Sequence, residues 1–212
     1  CIAMKSMGLH VASDALSVGN FADPGEKTIC SETGKELSPG VVVVVGDDPW
    51  SQSTSTPADS RFLFKHLHIP FLEPSTPQEL KDWMKVALDI SKSSSIYQGV
   101  ILNTFMAEGG GKVETGEKVT LNKELVELDP KSFDLSKNVM VPPNSLIADA
   151  RMLKERFPRA IEHINKLQLD KIYGDDRSKV GVIGSGVVFE SIKEVMEKDE
   201  LLNCLSLYKV AK

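Results

Sequence analysis

Residues 41–45 are five consecutive valines between Gly40 and Gly46, and the chain then turns at once to Asp47, Asp48, Pro49 and a stretch rich in hydroxyl groups. An unbroken apolar run marks a strand buried on both faces of a parallel sheet, because a strand with one wet face alternates. Residues 70–74 (PFLEP) read as a short strand and residues 99–102 (GVIL) as the next buried one. Between the first two lies a helix signal: Asp59 or Ser60 as cap, then Phe62, Leu63, His66 and Leu67 at helical spacing, ending near Ile69 and Pro70. Between the second and third, Ser75 to Glu79 supply a cap, a proline at the first helical position and an early acid. Leu80, Trp83, Met84, Ala87, Leu88 and Ile90 then form an apolar face. This is a βαβαβ unit, and its crossovers predict a parallel sheet in which ligands sit beyond the carboxyl ends of the strands.

Residues 2–14 read as a short apolar element, a Gly-Leu-His turn and a small-residue segment, an ordinary strand-to-helix connection. Residues 19–39 are mostly turn signals and predict a surface loop or small ribbon carrying Cys30. The glycine cluster after Glu108 marks an exit from the first domain, and residues 122–144, with Pro130, Pro142 and Pro143, read as a linker laid across a domain surface. Residues 145–169 predict a long amphipathic helix with Leu146, Ile147, Ala150, Leu153, Phe157, Ile161, Ile164 and Leu167 on one face, kinked or divided by Pro158. From Val180 a strand, a glycine turn and a helix follow, closed by a strand at 205–210. The expected class is α/β: a first domain over 1–115, an extended and helical linker over 116–178, and the opening of a second α/β domain over 179–212.

Composition narrows the function classes. A formal charge of −5 with no basic block provides no footprint for nucleic acid. Three separated cysteines without a CxxC encode neither a disulfide framework nor a cluster site. With no long apolar run and no leader pattern at the start, a soluble protein of the reducing cytoplasm is expected. The start at Cys1 and the strand-like end suggest a piece of something longer.

Candidate chemistry is sparse. Gly184-Ser185-Gly186 lacks the third glycine and the following acid of a dinucleotide fingerprint, so it reads as a tight strand-to-helix turn whose amides could hold an anion. Asp47 and Asp48 are adjacent, so alternation points them apart and they are not a ready carboxylate pair; a metal with Ser51 or Ser53 is one option, though Mg²⁺ sites usually recruit groups from further away. They suit a structural loop, a helix cap, or a contact with substrate or partner domain. The hydroxyls and amides of residues 52–56 can donate to a carboxylate, and Arg61 can offer it a fork. Of the histidines, His10 beside the small-residue turn is best placed to face a site. No nucleophile elbow, zinc pattern or P-loop is present.

The segments AMKSMGLHVASDAL, GVVVVVGDDPWSQSTSTPADSR, FLEPSTPQE and KVGVIGSGVVFESIKEV resemble the alpha subunit of indolepyruvate ferredoxin oxidoreductase, a thiamine-diphosphate-dependent 2-oxoacid:ferredoxin oxidoreductase. The resemblance spans nearly the whole chain. It implies part of a pyrimidine-binding domain followed by the start of a transketolase C-terminal-like domain. The implied activity is oxidative decarboxylation of an aryl 2-oxoacid such as indolepyruvate, with CoA and ferredoxin as co-substrates and a second oxidoreductase subunit as partner. Thiamine diphosphate, Mg²⁺ and iron–sulfur clusters would serve the complete enzyme, the clusters lying outside this chain, and the isolated fragment is expected to hold none of them and to be inactive. The resemblance assigns Gly8, His10, Ser13 and Asp14 to the cofactor side and Ser53, Thr54 and Arg61 to the substrate, with no catalytic residue and no metal ligand. The loop keeps Asp59-Ser60-Arg61 but has lost several polar amides of the family pattern, and residues 25–39 look longer than usual. A non-catalytic subunit or assembly domain, and a thiamine-dependent decarboxylase-like enzyme, are the alternatives.

Overall fold

The computed structural model describes residues 1–23, 28–29, 36–37, 39–116, 139–175 and 177–211; Cys30 lies outside this set. The chain opens with β1 (Ile2–Lys5), which runs straight into α1 (Ser6–Ala22). Gly8, Leu9 and His10 therefore sit inside the first turns of a helix and not in the expected turn, since nothing between Lys5 and Leu9 breaks helical hydrogen bonding. A two-stranded antiparallel ribbon of β2 (Thr28–Ile29) and β3 (Glu36–Leu37) follows. Then come β4 (Val42–Asp47), α2 (Arg61–His66), β5 (Phe71–Leu72), α3 (Pro77–Ser94), β6 (Gln98–Asn103) and the short α4 (Thr104–Glu108). β1, β4, β6 and β5 pair in that order, all parallel.

The valine run is central and wet on neither face. Val42 packs with Trp83, Ala87 and Ile90 of α3, while Val43 and Val45 pack with Leu9 and Leu16 of α1 and Phe64 of α2. Helices thus cover both faces of the sheet, as the apolar pattern predicts. α3 begins as its sequence proposes: Thr76 accepts a hydrogen bond from the Glu79 amide, with Pro77 at the first helical position. Gly99 in β6 is needed for packing, because a Cβ there would stand 2.8 Å from Phe71 and 2.9 Å from the Phe64 ring, and those two rings stack at 5.8 Å.

The long helix is continuous but irregular. α5 (Asn144–Arg151) passes through a π-helical turn (Met152–Arg156) into α6 (Phe157–Lys166). Pro158 has no N–H to give the carbonyl four residues earlier, and a wider turn just before it accommodates the ring without a break. The extra residue rotates the helix, so the buried stripe is Met152, Arg156, Ala160 and Ile164, while Leu146, Ile147 and Leu153 of the expected face are exposed.

Arg156 is the consequence of that rotation. Its guanidinium is buried and donates to the carbonyls of Asn20, Phe21 and Ser95, at 2.9, 2.8 and 2.9 Å. One side chain therefore satisfies the C-terminal ends of α1 and α3 together. Asn20 extends the knot, donating to the Leu67 carbonyl and accepting from the Tyr97 amide.

The second unit is a three-stranded sheet of β7 (Lys171–Gly174), β8 (Gly181–Ser185) and β9 (Ser206–Val210), with α7 (Gly186–Lys198) between β8 and β9. β9 lies in the middle, antiparallel to β7 and parallel to β8. Its first strand thus precedes the residue-179 start expected for the second domain. Ala211 reaches back into the first core, and the Glu73 amide donates to its carbonyl at 2.9 Å. Lys209, 1% exposed, bonds Ser75 and Glu79 at the start of α3, with Glu190 of α7 at 3.7 Å. The Trp83 and Phe189 rings flank its ammonium group. No helix among the described residues is long and apolar enough to cross a membrane.

Candidate functional site

The two sheets meet around a cavity of about 610 Å³ at the carboxyl edge of β4, β5 and β6. Residues of the loop 47–61 form one wall, Glu73 and Asn103 come from the strand ends beside it, and Ile183, Ser185 and Val188 close it from the second unit. Its size suits a ligand of ordinary metabolite dimensions.

Strand alternation separates the two adjacent acids, as the sequence predicts. Asp47 lies at the cavity wall and accepts from the Ser60 amide at 2.8 Å and from the Ser60 hydroxyl. Burial raises its pKa, and the Ser60 bonds only partly oppose the shift. Asp48 turns the other way, into its own loop. The amides of Gln52, Ser53 and Thr54 donate to it at 2.9, 2.6 and 2.9 Å, and the Thr54 hydroxyl adds a fourth bond. Those bonds, led by the Ser53 amide, hold its pKa at about 2. Asp48 is thus the internal anion that folds the hydroxyl-rich loop.

That arrangement decides where the predicted residues stand. Ser53 and Thr54 give their amides to Asp48, and Lys5 bonds the Ser53 carbonyl at 3.1 Å. Of the substrate candidates only Arg61 lines the cavity. Its guanidinium forks onto Asp59, through Nε and a terminal nitrogen at 2.8 Å each, with Glu73 at 3.8 Å. The Asp59 bond is the main cause of its raised pKa. The cofactor candidates lie on α1, where His10 and Asp14 are exposed, Ser13 donates to the His10 carbonyl and Gly8 rests on Met4. None of those four lines the cavity.

Two contributors escaped sequence reasoning. Glu73, in the PFLEP strand, is seated against the glycine turn that opens α7: a Cβ on Gly186, whose φ is +53°, would stand 2.5 Å from its Oε1. Burial raises its pKa, opposed only in part by Arg61 and the nearby Ser185 side chain. The chain's own acid thus packs against the glycine turn, where a free anion was expected. The available signal was a lone acid inside an apolar, proline-flanked strand. The second is Trp50, 56% exposed, which lines the cavity and meets Phe105, 52% exposed, edge-on at 5.2 Å.

Among the described residues no three His, Cys, Asp or Glu side chains converge to hold a metal ion. Three carboxyls against one arginine make the walls of this cavity acidic, a poor seat for a diphosphate without its cation.

No protein-family model matches the chain. It is 32% identical over 200 residues to the indolepyruvate oxidoreductase subunit IorA of Pyrococcus abyssi, covering 92% of this chain and 28% of that subunit. Against the same subunit of Pyrococcus horikoshii identity is 30% over 203 residues, with the same shares. The chain is similar to one stretch of IorA. The resemblance drawn from MGLHVASD, the GDDP loop and FLEPSTPQE thus holds across nearly its full length. It spans a little over a quarter of the length of these relatives. A solved 2-oxoglutarate:ferredoxin oxidoreductase from Magnetococcus marinus, with 2-oxoglutarate, coenzyme A and succinyl-CoA bound, superposes with a TM-score of 0.60 at 14% identity, over 99% of this chain and 41% of that one. That likeness establishes the shared α/β fold.

Proposed function

We propose that this chain forms one wall of the reaction chamber in an enzyme that oxidatively decarboxylates an aryl 2-oxoacid such as indolepyruvate, passing electrons to ferredoxin and the acyl group to CoA. The observation that carries the reading is the coincidence of two facts. The chain matches IorA over 92% of its length, and its polar loop 47–61 stands at the carboxyl edge of a parallel sheet, where α/β enzymes place ligands. The first unit corresponds to part of a pyrimidine-binding domain and the second to the start of a transketolase C-terminal-like domain.

Thiamine diphosphate, with Mg²⁺, supplies the electron sink for decarboxylation when bound. Its diphosphate and metal belong to the remaining domains of the parent subunit, and the iron–sulfur centres also lie outside this chain. The chain's own part is structural and steric. Asp48 fixes the loop, Ser60 holds Asp47, and the Glu73–Ser185 contact closes the chamber against the second unit.

The test is co-expression of the parent subunit with its partner subunit and measurement of 2-oxoacid-dependent ferredoxin reduction with CoA present. Reduction that requires added thiamine diphosphate and prefers indolepyruvate to pyruvate is expected. A stable, cofactor-loaded complex that fails to reduce ferredoxin whichever 2-oxoacid is supplied would overturn the reading and favour an assembly role.

A further inference from the structure

We infer that the cavity between the two units receives the ring end of the aryl 2-oxoacid, with Trp50 as the ring platform and Glu73 as acceptor for a ring N–H; this rests on the function proposed above. The cavity walls carry Asp47, Asp59 and Glu73 against the single guanidinium of Arg61, and that guanidinium is already forked onto Asp59. Such a chamber repels the carboxylate end of a 2-oxoacid. It suits a neutral, flat group with a hydrogen-bond donor, and an indole ring is one.

The apolar surface has the matching shape. Phe71 and Ile101 come from the first sheet, Ile183 and Val210 from the second, and Val188 from α7. Trp50 stands with more than half its surface exposed and is braced edge-on by Phe105, so its free face is open to a second ring. Its placement is enforced by the chain, because it lies in the turn closed by the Ser51 amide on the Asp48 carbonyl at 3.2 Å. Phe105 is fixed in turn by α4, which Asn103 caps through the Met106 amide at 3.0 Å.

Spare acceptor capacity singles out Glu73. Asp47 takes two donors from Ser60, and Asp59 takes three from Arg61. Glu73 has the Ser185 side chain, while the nearest Arg61 nitrogen at 3.8 Å is beyond hydrogen-bonding reach. The side chain is still 19% exposed and lines the cavity.

The experiment compares steady-state kcat/KM in the assembled two-subunit enzyme for indole-3-pyruvate, 1-methylindole-3-pyruvate, phenylpyruvate and pyruvate. In the parent enzyme the N-methyl compound is expected to lose about tenfold relative to indole-3-pyruvate, the worth of one hydrogen bond to a charged acceptor. Glu73→Ala is expected to erase that penalty. Trp50→Ala is expected to lower both ring substrates about tenfold and leave pyruvate within about twofold, with Trp50→Phe recovering most of the loss. Equal losses for ring substrates and pyruvate, or full acceptance of the N-methyl compound, would overturn the assignment. An enzyme that turns over none of the four contradicts the function proposed above, and binding then decides the ring site alone. The chain has two tryptophans, Trp50 and Trp83. Added indole-3-pyruvate should move the Trp50 indole N–H resonance and spare that of Trp83, and an unmoved Trp50 signal at millimolar ligand would overturn it.

Discussion

Arg156 is 2% exposed and gives its guanidinium to three backbone carbonyls, whereas Arg61 is half exposed and gives its own to one neighbouring carboxylate at a cavity wall. The first region is a closed seam in which the buried donor and its acceptors are satisfied within the chain. The second is an edge where charges are only partly paired and apolar surface stays open. A buried cation that feeds backbone carbonyls holds elements together. A half-exposed one among acids leaves geometry to be completed by a ligand or a neighbouring domain.

The sharpest way to break the comparison is at the seam. Arg156→Ala strands the carbonyls of Asn20, Phe21 and Ser95 in a dry interior and should cost about 4 kcal/mol, measured by urea unfolding of the chain. A loss under about 1 kcal/mol would show that water replaces the guanidinium. Lys209→Met is next, at about 3 kcal/mol, because Glu79 and Glu190 lose the cation that joins them across the two units. Limited proteolysis should then cut between α6 and β7 sooner than in the parent chain.

Asp48 and Asp47 sharpen the comparison through pH. Asp48 has its pKa depressed from 3.8 to about 2, so it stabilises the fold above pH 3.8 and that contribution disappears as pH falls through 2. Asp48→Asn should therefore unfold more easily than the parent chain near neutral pH, with the gap closing towards pH 2. Asp47 and Glu73 have raised values, so for them stability increases as pH falls through the folded-state pKa. Thermal melts of Asp47→Asn against pH should show a dependence opposite in sign to that of Asp48→Asn.

Much of this was legible in the residues. The valine run, the Thr76-Pro77 helix start and the separation of Asp47 from Asp48 follow from local rules of alternation and capping, and the structure keeps all three. The seam was harder to see, because a π turn before Pro158 changes which residues of the long helix face inward and brings Arg156 into the stripe. Its signal was present: Met152, Arg156, Ala160 and Ile164 recur every four residues. Lys209 was legible in the same way, since alternation in SLYKV sets it on the face of Leu207, which is buried. Glu73 showed only as a lone acid in an apolar strand and Trp50 not at all, because what they do depends on the approach of the second unit and of α4.

The smallest effect on stability, and the most direct test of the account, belongs to Arg61. Its ion pair with Asp59 is half in solvent, so Arg61→Ala should change unfolding by less than about 1 kcal/mol. In the two-subunit enzyme proposed above the same substitution frees Asp59 and Glu73 beside the proposed ring site, and kcat/KM for indole-3-pyruvate should fall at least about tenfold while the melting temperature holds. Unchanged turnover together with a clear loss of thermal stability would make Arg61 a second structural fastener and contradict the claim that this edge is the working wall.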